Sequence, residues 1–435
     1  MNRFSPPVLL NLAIRGLQWD ETLAVAAVKF LPKELFGPLF SEAMAGRHSH
    51  TVKAMMRAWP FPWLHLGYFL DTLHPHHDIL KIALDGLDLL LTPNVRHRRC
   101  KLRVLDLRQD IATNIGERVN ERKGLPRLCC RKLVFPGVLP QKEVIDKILR
   151  MVQLEDVQEV SVDCSWDLQD LTWFAPHLGR MLNLSRLCLS GIAVNCRSSG
   201  KEEEVGKLAD QFSTLFLNLP QLQHLHLECV LFLNGYLPQL FSCMQTPLAT
   251  LKITDCFLLE SDMAWLSFCP STQHLKCLDL SGVPMKSFNP KLLSALLETA
   301  SSTLERLNLG GCEIRNSHIT RLLSALGQCS QLTDFTLYGN HVSMVVLEHL
   351  LRYTAQCCKF RRLELPVPLD CYLGNPGSLH RPTLQWYITK LGQMLQYLLL
   401  PSWVWFGHSS QDPIKGYDTI FIQFVSSDFQ PNLCL

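Results

Sequence analysis

Long apolar runs are missing from this sequence. The apolar stretches around Leu398–Leu400 and Val404–Phe406 fall far below the ~18 residues a membrane-spanning helix needs. The run Val8–Leu12 is too short and too proline-flanked to read as a signal peptide. Charge is also scarce: 19% of residues are charged and the net charge is +3, against about 25% charged in an average domain. So balanced a chain has no bulk attraction for nucleic acid or a membrane surface, and direct binding to either is not expected. No G-x-S-x-G, H-E-x-x-H, G-x-x-x-x-G-K or G-x-G-x-x-G occurs, so nothing points to an enzyme. The 17 cysteines include no Cys-x-x-Cys, and the adjacent pairs Cys129-Cys130 and Cys357-Cys358 have the wrong spacing for zinc. They read as free, mostly buried thiols in a reducing compartment, which places the chain in the cytoplasm or nucleus. His74, His76 and His77 lack a second ligand pair, so neither metal nor cofactor is expected.

What the sequence has is apolar residues, at 47%, and 435 positions to arrange them over. That exceeds the ~250–300 residues one core sustains. The chain is therefore several domains or a repeat stack, which has no such ceiling. The pattern L-x-x-L-x-L starts at Leu222, Leu248, Leu275, Leu304, Leu332 and, with Phe, at Phe360, at steps of 26, 27, 29, 28 and 28 residues. A leucine-rich repeat has ~20–29 residues, the long end allowing a helix in each. Leu307 and Leu309 alternate along a strand onto one face, leaving Arg306 and Asn308 on the other. Cys312 and Asn340, three residues beyond the last motif leucine, sit where a ladder residue turns the chain. Between motifs, Leu292, Leu293, Leu296 and Leu297, then Leu322, Leu323 and Leu326, then Val346, Leu347, Leu350 and Leu351, recur at helical spacing.

Leu184–Leu189, Val157–Val162 and Leu102–Leu107 are further copies, Leu395–Leu400 a final one, and Asn195–Glu204 a surface loop. Residues 6–91 follow helical spacing broken by Pro32, Pro38, Pro60, Pro62 and Pro75. The expected fold is an α/β leucine-rich-repeat solenoid, a ribonuclease-inhibitor-like horseshoe. Residues 1–95 form a helical cap, 96–400 the solenoid, and 401–435, with Trp403, Trp405 and Phe406, a C-terminal cap and tail. The outward strand positions would line its concave face: Arg186, His224, His226, Lys252, Asp279, Arg306, Asn308, Thr336, Tyr338, Arg362 and Glu364. His224 and His226 belong to that face rather than to a metal site.

The blocks LPKELFGPLF (31–40), GRHSHTVKAMMRAWPF (46–61), LDGLDLLL (84–91), VRHRRCKLRVLDLR (95–108), LPRLCCRKL (125–133), LYGNHVSM (337–344) and PVPLD (366–370) closely resemble the PRAME family, the preferentially-expressed-antigen-of-melanoma-like proteins. The resemblance implies a leucine-rich-repeat fold, germline or embryonic expression, and service as a substrate receptor of cullin-2 ubiquitin ligases. It also implies a link to transcriptional repression, including retinoic acid receptor signalling, and regulatory roles in differentiation, proliferation and apoptosis. Two departures stand out: only Gln109–Gly124 bridges the V-L-D-L-R and L-C-C-R-K-L blocks, and the tail from Gly407 lacks a Cys-rich ending.

Thr22, Leu23, Ala27 and Leu31 fit an elongin-binding box, the last three at i, i+4 and i+8 on one helix face. Leu31, Pro32, Leu35 and Leu39 fit an overlapping cullin-2 box. The same spacing also describes a helix packing into its own core. Four LxxLL segments begin at Leu87, Leu293, Leu347 and Leu395. They match a nuclear-receptor motif but read as core leucines. The cluster Arg96, Arg98, Arg99, Lys101 and Arg103 reads as a solvated edge beside a strand, or as a nuclear-localisation patch. The expected function is a substrate-recognition adaptor of a cullin-2 RING ubiquitin ligase: elongin B/C and cullin-2 at the cap, a target protein such as a nuclear receptor on the strand face. The alternative is a corepressor of retinoic acid receptor signalling acting without a ligase.

Overall fold

Two leucines one residue apart in an extended segment must share a face, and a row of such segments must find neighbours to cover that face. The computed structural model describes residues 16, 20–65, 104–106, 130–137, 142–164, 166–193, 202–244, 246–357, 359–373, 378–398 and 404–407. It divides into two units, Met1–Ser165 with His177–Leu184, and Trp166–Pro176 with Ser185–Leu435.

The first unit opens with three helices: α1 Glu21–Ala27, α2 Lys33–Ala45 and α3 Ser49–Arg57. Asp20 caps α1, its carboxylate accepting from the Thr22 and Leu23 amides at 2.9 and 3.1 Å. Phe36, Leu39, Phe40, Met44, Val52, Met55 and Met56 form the apolar centre of this unit. The Trp-Pro-Phe block closes it, with the Trp59 ring 5.0 Å from Phe40 and 5.7 Å from both Phe36 and Phe61, edge to face. The helices end at Arg57. Four parallel strands follow: β1 Trp63–His65, β2 Val104–Asp106, β3 Lys132–Gly137 and β4 Glu159–Cys164. Two were not foreseen. β1 falls inside the segment read as purely helical, and β3 begins on the last two residues of the L-C-C-R-K-L block, which shows no full L-x-x-L-x-L. The basic cluster at 96–103, the three histidines at 74–77 and the LxxLL segment at 87–91 lie outside the described residues.

The second unit carries the regular repeat. Strands β5 Arg186–Ser190, β6 His224–Glu228, β7 Thr250–Thr254, β8 Cys277–Asp279, β9 Arg306–Asn308, β10 Asp334–Thr336 and β11 Arg362–Pro366 pair in parallel, each with the next. Helices cross between them, as parallel pairing demands. Leu187, Leu225, Leu251, Leu278, Leu307, Phe335 and Leu363 stand at one level of the register, and all are buried. Each contributes about 1.5–3 kcal/mol of apolar burial. Leu307 and Leu309 are 2% and 0% exposed, as the alternation requires.

The helices obey the same arithmetic. In Pro290–Ala300, Asn289 caps the Lys291 amide at 3.1 Å and Pro290 starts the first turn. Its buried residues, Leu293, Leu296, Leu297 and Ala300, follow at i, i+3, i+4 and i+7. The leucines of the LxxLL segments at 293–297 and 347–351 are likewise buried, and so is Leu395.

A second periodic device accompanies the motif leucines. Two residues after the last motif apolar residue the backbone turns left-handed, at Gly191, Cys229, Asp255, Gly282, Gly311 and Gly339, with φ between 50 and 73°. At the first five of these the turn aims the N–H at the next repeat. Cys229 donates to the Thr254 carbonyl at 3.0 Å, Gly282 to Gly310 at 2.8 Å, and Gly311 to Tyr338 at 2.9 Å. One residue further on, the expected ladder residues appear. Cys312 Sγ donates to the Leu280 carbonyl at 3.0 Å, and Asn340 Nδ2 to the carbonyls of Leu309 and Leu337 at 2.7 and 2.8 Å.

The end of the chain differs from expectation. Leu395 belongs to the helix Arg381–Tyr397 rather than to a strand, because Leu384, Ile388, Leu391 and Leu395 continue a helical apolar stripe. After a short antiparallel pair, β12 Tyr372–Leu373 and β13 Ser378–Leu379, the next strand is β14 Val404–Gly407. It pairs in parallel with β11, so part of the supposed tail is a repeat strand.

Candidate functional site

The outward residues of β5 to β11 stand in register as two rows. The first runs Arg186, His224, Thr250, Cys277, Arg306, Asp334, Arg362, and the second Cys188, His226, Lys252, Asp279, Asn308, Thr336, Glu364. They line a groove of about 540 Å³ within the second unit. Ten of the eleven residues expected on this face are there. Tyr338 is not; one residue past the alternating segment, it lies over Gly310 in the turn. Sequence reasoning passed over Cys188, Thr250, Cys277 and Asp334, although the same alternation placed them, because their side chains are small or their motifs mixed.

The groove is largely cross-braced. Lys252 Nζ lies 3.7 Å from Asp279, and Arg362 Nε 3.8 Å from Asp334. Asp279 also accepts from the Ser281 amide and hydroxyl at 3.1 and 2.7 Å. Thr336 donates to Glu364 at 3.3 Å. His224 Nδ1 and the Thr250 hydroxyl are 2.9 Å apart. Burial, then the Lys252 charge, holds the His226 imidazole below its ordinary pKa, against the pull of Glu228 and Asp279, so it is neutral at pH 7. Burial raises the Cys277 thiol although the Arg306 charge works the other way. The interior thiols Cys256 and Cys312 are pushed to about 11 and about 12 by burial, which makes them packing groups rather than nucleophiles.

The candidate docking residues of the first unit separate into two kinds. Thr22 is exposed, Leu23 is 53% exposed and Ala27 is half-buried. The expected helix face stops there, since α1 ends at Ala27 and Leu31 precedes Pro32, a position that disfavours helix. Leu31 is 8% exposed and Leu39 1%. Both serve the unit's own core, leaving Pro32 exposed and Leu35 half-buried. Phe30, at 82% exposure, is an apolar surface residue that the box pattern did not include.

Residues 6–115 match the PRAME N-terminal domain and residues 68–417 the PRAME C-terminal domain. PRAME family member 7 of Homo sapiens is 38% identical over 422 residues, covering 85% of this chain and 87% of its own. Preferentially expressed antigen in melanoma-like protein 1 of Mus musculus is 34% identical over 395 residues, covering 80% and 85%. Among solved structures, the TLR13–ssRNA13 complex aligns at TM-score 0.34 and 17% identity over 55% of this chain and 32% of that one. An internalin from Listeria monocytogenes aligns at 0.30 and 14% over 54% and 73%. The two domain matches and the extent of these sequence identities establish that the chain belongs to the PRAME family.

Proposed function

We propose that this protein is the substrate-recognition adaptor of a cullin-2 RING ubiquitin ligase and performs no catalysis of its own. Elongin B/C and cullin-2 dock on the N-terminal helical segment, and a target protein lies on the strand face. Regulation of transcription, differentiation, proliferation and apoptosis would follow from which target is bound. The reading places the protein in the cytoplasm, with access to the nucleus. The observation that carries it is Leu23. An apolar side chain 53% exposed on a seven-residue capped helix, beside an exposed hydroxyl and a small residue, is free for a partner helix. The test is co-expression with elongin B, elongin C and cullin-2. Wild type should retain all three, and Leu23→Asp should lose them while melting normally. A wild-type chain that retains none, or a variant that retains all, ends this reading.

One observation favours a second reading. Leu31 and Leu39, half of the cullin-box positions, are buried in the unit's own core. A corepressor of retinoic acid receptor signalling would bind its partner through the strand face alone and need no such box. Recovery of a receptor without any cullin would support it.

A further inference from the structure

Among the described residues of the groove, the cations are Arg186, Lys252, Arg306 and Arg362 and the carboxylates Asp279, Asp334 and Glu364. The carboxylates are already engaged. Asp279 has Lys252 and Ser281, Asp334 has Arg362 and the Thr333 hydroxyl at 2.7 Å, and Glu364 has Thr336. Arg306 differs. It is exposed in the middle of the first row, between Cys277 and Asp334, makes no ion pair among the described residues, and touches the Cys277 thiol. The unmatched charge of the groove is therefore positive and sits at its centre. A guanidinium with free donors is suited to grip a carboxylate with two parallel hydrogen bonds.

The size of the groove sets the shape of what fits. Seven strands at ~4.8 Å spacing give a row about 29 Å long, the length of roughly nine extended residues at ~3.3 Å each. Thr250, Asn308 and Thr336 along the rows offer hydroxyl and amide groups to an extended backbone. A nucleic acid fits less well. It carries a phosphate at every nucleotide, and Asp279, Asp334 and Glu364 would each face part of that continuous charge. A peptide can place one carboxylate on Arg306 and neutral residues elsewhere.

We propose that the groove of the second unit binds an extended acidic peptide segment of the target protein, anchored by an Asp or Glu side chain on Arg306. This rests on the reading of the strand face as the target site. The probe is a displayed library of random nonapeptides panned on the full chain. The retained pool should be dominated by Asp and Glu over Lys and Arg. A fluorescein-labelled peptide from it should bind about tenfold more weakly to Arg306→Glu, with Arg306→Lys, which keeps the charge but loses the paired donors, falling between that variant and wild type. Arg306→Gln, which removes the charge without reversing it beside Asp334, should weaken binding in the same direction. A neutral or basic pool, no retained pool, or undiminished binding to both Arg306→Glu and Arg306→Gln overturns the proposal. So does a labelled single-stranded RNA that displaces the peptide at lower concentration than unlabelled peptide does. Failure of the ligase reading shows separately, as absence of elongin and cullin-2 from the co-purified complex while acidic peptides still bind.

Discussion

Asn340 joins two repeats, and its removal has a calculable cost. The residue is 6% exposed. Its Nδ2 donates to Leu309 and Leu337 carbonyls at 2.7 and 2.8 Å and to Tyr338 at 3.2 Å, while its Oδ1 accepts from the Ile314 amide at 2.8 Å. Asn340→Ala deletes these bonds and leaves a buried amide with no acceptor. The two Nδ2 hydrogens account for about 2 kcal/mol, at about 1 kcal/mol per net bond, and the stranded Ile314 donor for about 1–3 kcal/mol, so the loss should be about 3–5 kcal/mol. The repeats themselves supply a graded control. Cys256 occupies the equivalent position, accepts from the Val230 amide at 3.4 Å and donates to the Leu227 carbonyl at 3.7 Å. Asn340→Cys should therefore cost clearly less than Asn340→Ala. Asn340→Asp keeps the acceptor but places a carboxylate against carbonyl oxygens. Its folded pKa is raised, so its penalty should be full at neutral pH and shrink as pH falls through that value. Urea denaturation gives the totals. Amide exchange at Ile314 gives the local effect, with protection lost in the alanine variant. An alanine variant within about 1 kcal/mol of wild type would refute the claim that this side chain ties the repeats.

Further tests address other parts of the chain. Leu39→Ala should destabilise by about 2–5 kcal/mol as a core truncation, whereas Leu23→Asp should change the melt by about 0.5 kcal/mol, as exposed substitutions do; equal melts would mean Leu23 is structural. Gly282→Ala forces a side chain at φ +73°, with its Cβ 2.0 Å from Asp255 Oδ1 and 3.1 Å from the Asp255 Cα. It should cost more than the ~1–2 kcal/mol of the left-handed backbone alone, and Asp255→Gly should relieve part of it in calorimetry. His226 has a folded pKa below its unfolded value, so the unfolded chain takes up the proton first. Its contribution is present above about pH 6.5 and is lost as pH falls below that; His226→Gln should flatten stability over this window, and an unchanged slope would count against a half-buried neutral imidazole.

Much of the second unit could be read directly because two periods coincide there. Alternation by two decides which residues of a strand face out, and a repeat of 26 to 29 residues brings equivalent positions into one row. Hence the spacing alone places His224, Lys252, Arg306 and Thr336 on one face. The first unit was harder to read. β3 lacks the full motif, and β1 follows a helical block that ends at Trp59-Pro60-Phe61 without a repeat before it. At the other end, Leu391 and Leu395 satisfy both a helical stripe and part of the repeat motif, and the helix prevailed because Leu384 and Ile388 extend it.

The sequence by itself determined the repeat, the strands β5 to β11, the buried leucine level and the membership of the outward rows. Each of these follows from spacing along one chain. Only the tertiary structure decided which charges in those rows are neutralised, because pairing depends on neighbours about 28 residues away. Asp334 turns to Arg362 rather than to Arg306, although both flank it in register. It also decided that Leu23 is exposed while Leu31 and Leu39 are buried. Identical i, i+4 spacing serves a core and a docking surface equally well, and the two part only when the rest of the fold covers one side of the helix and leaves the other open.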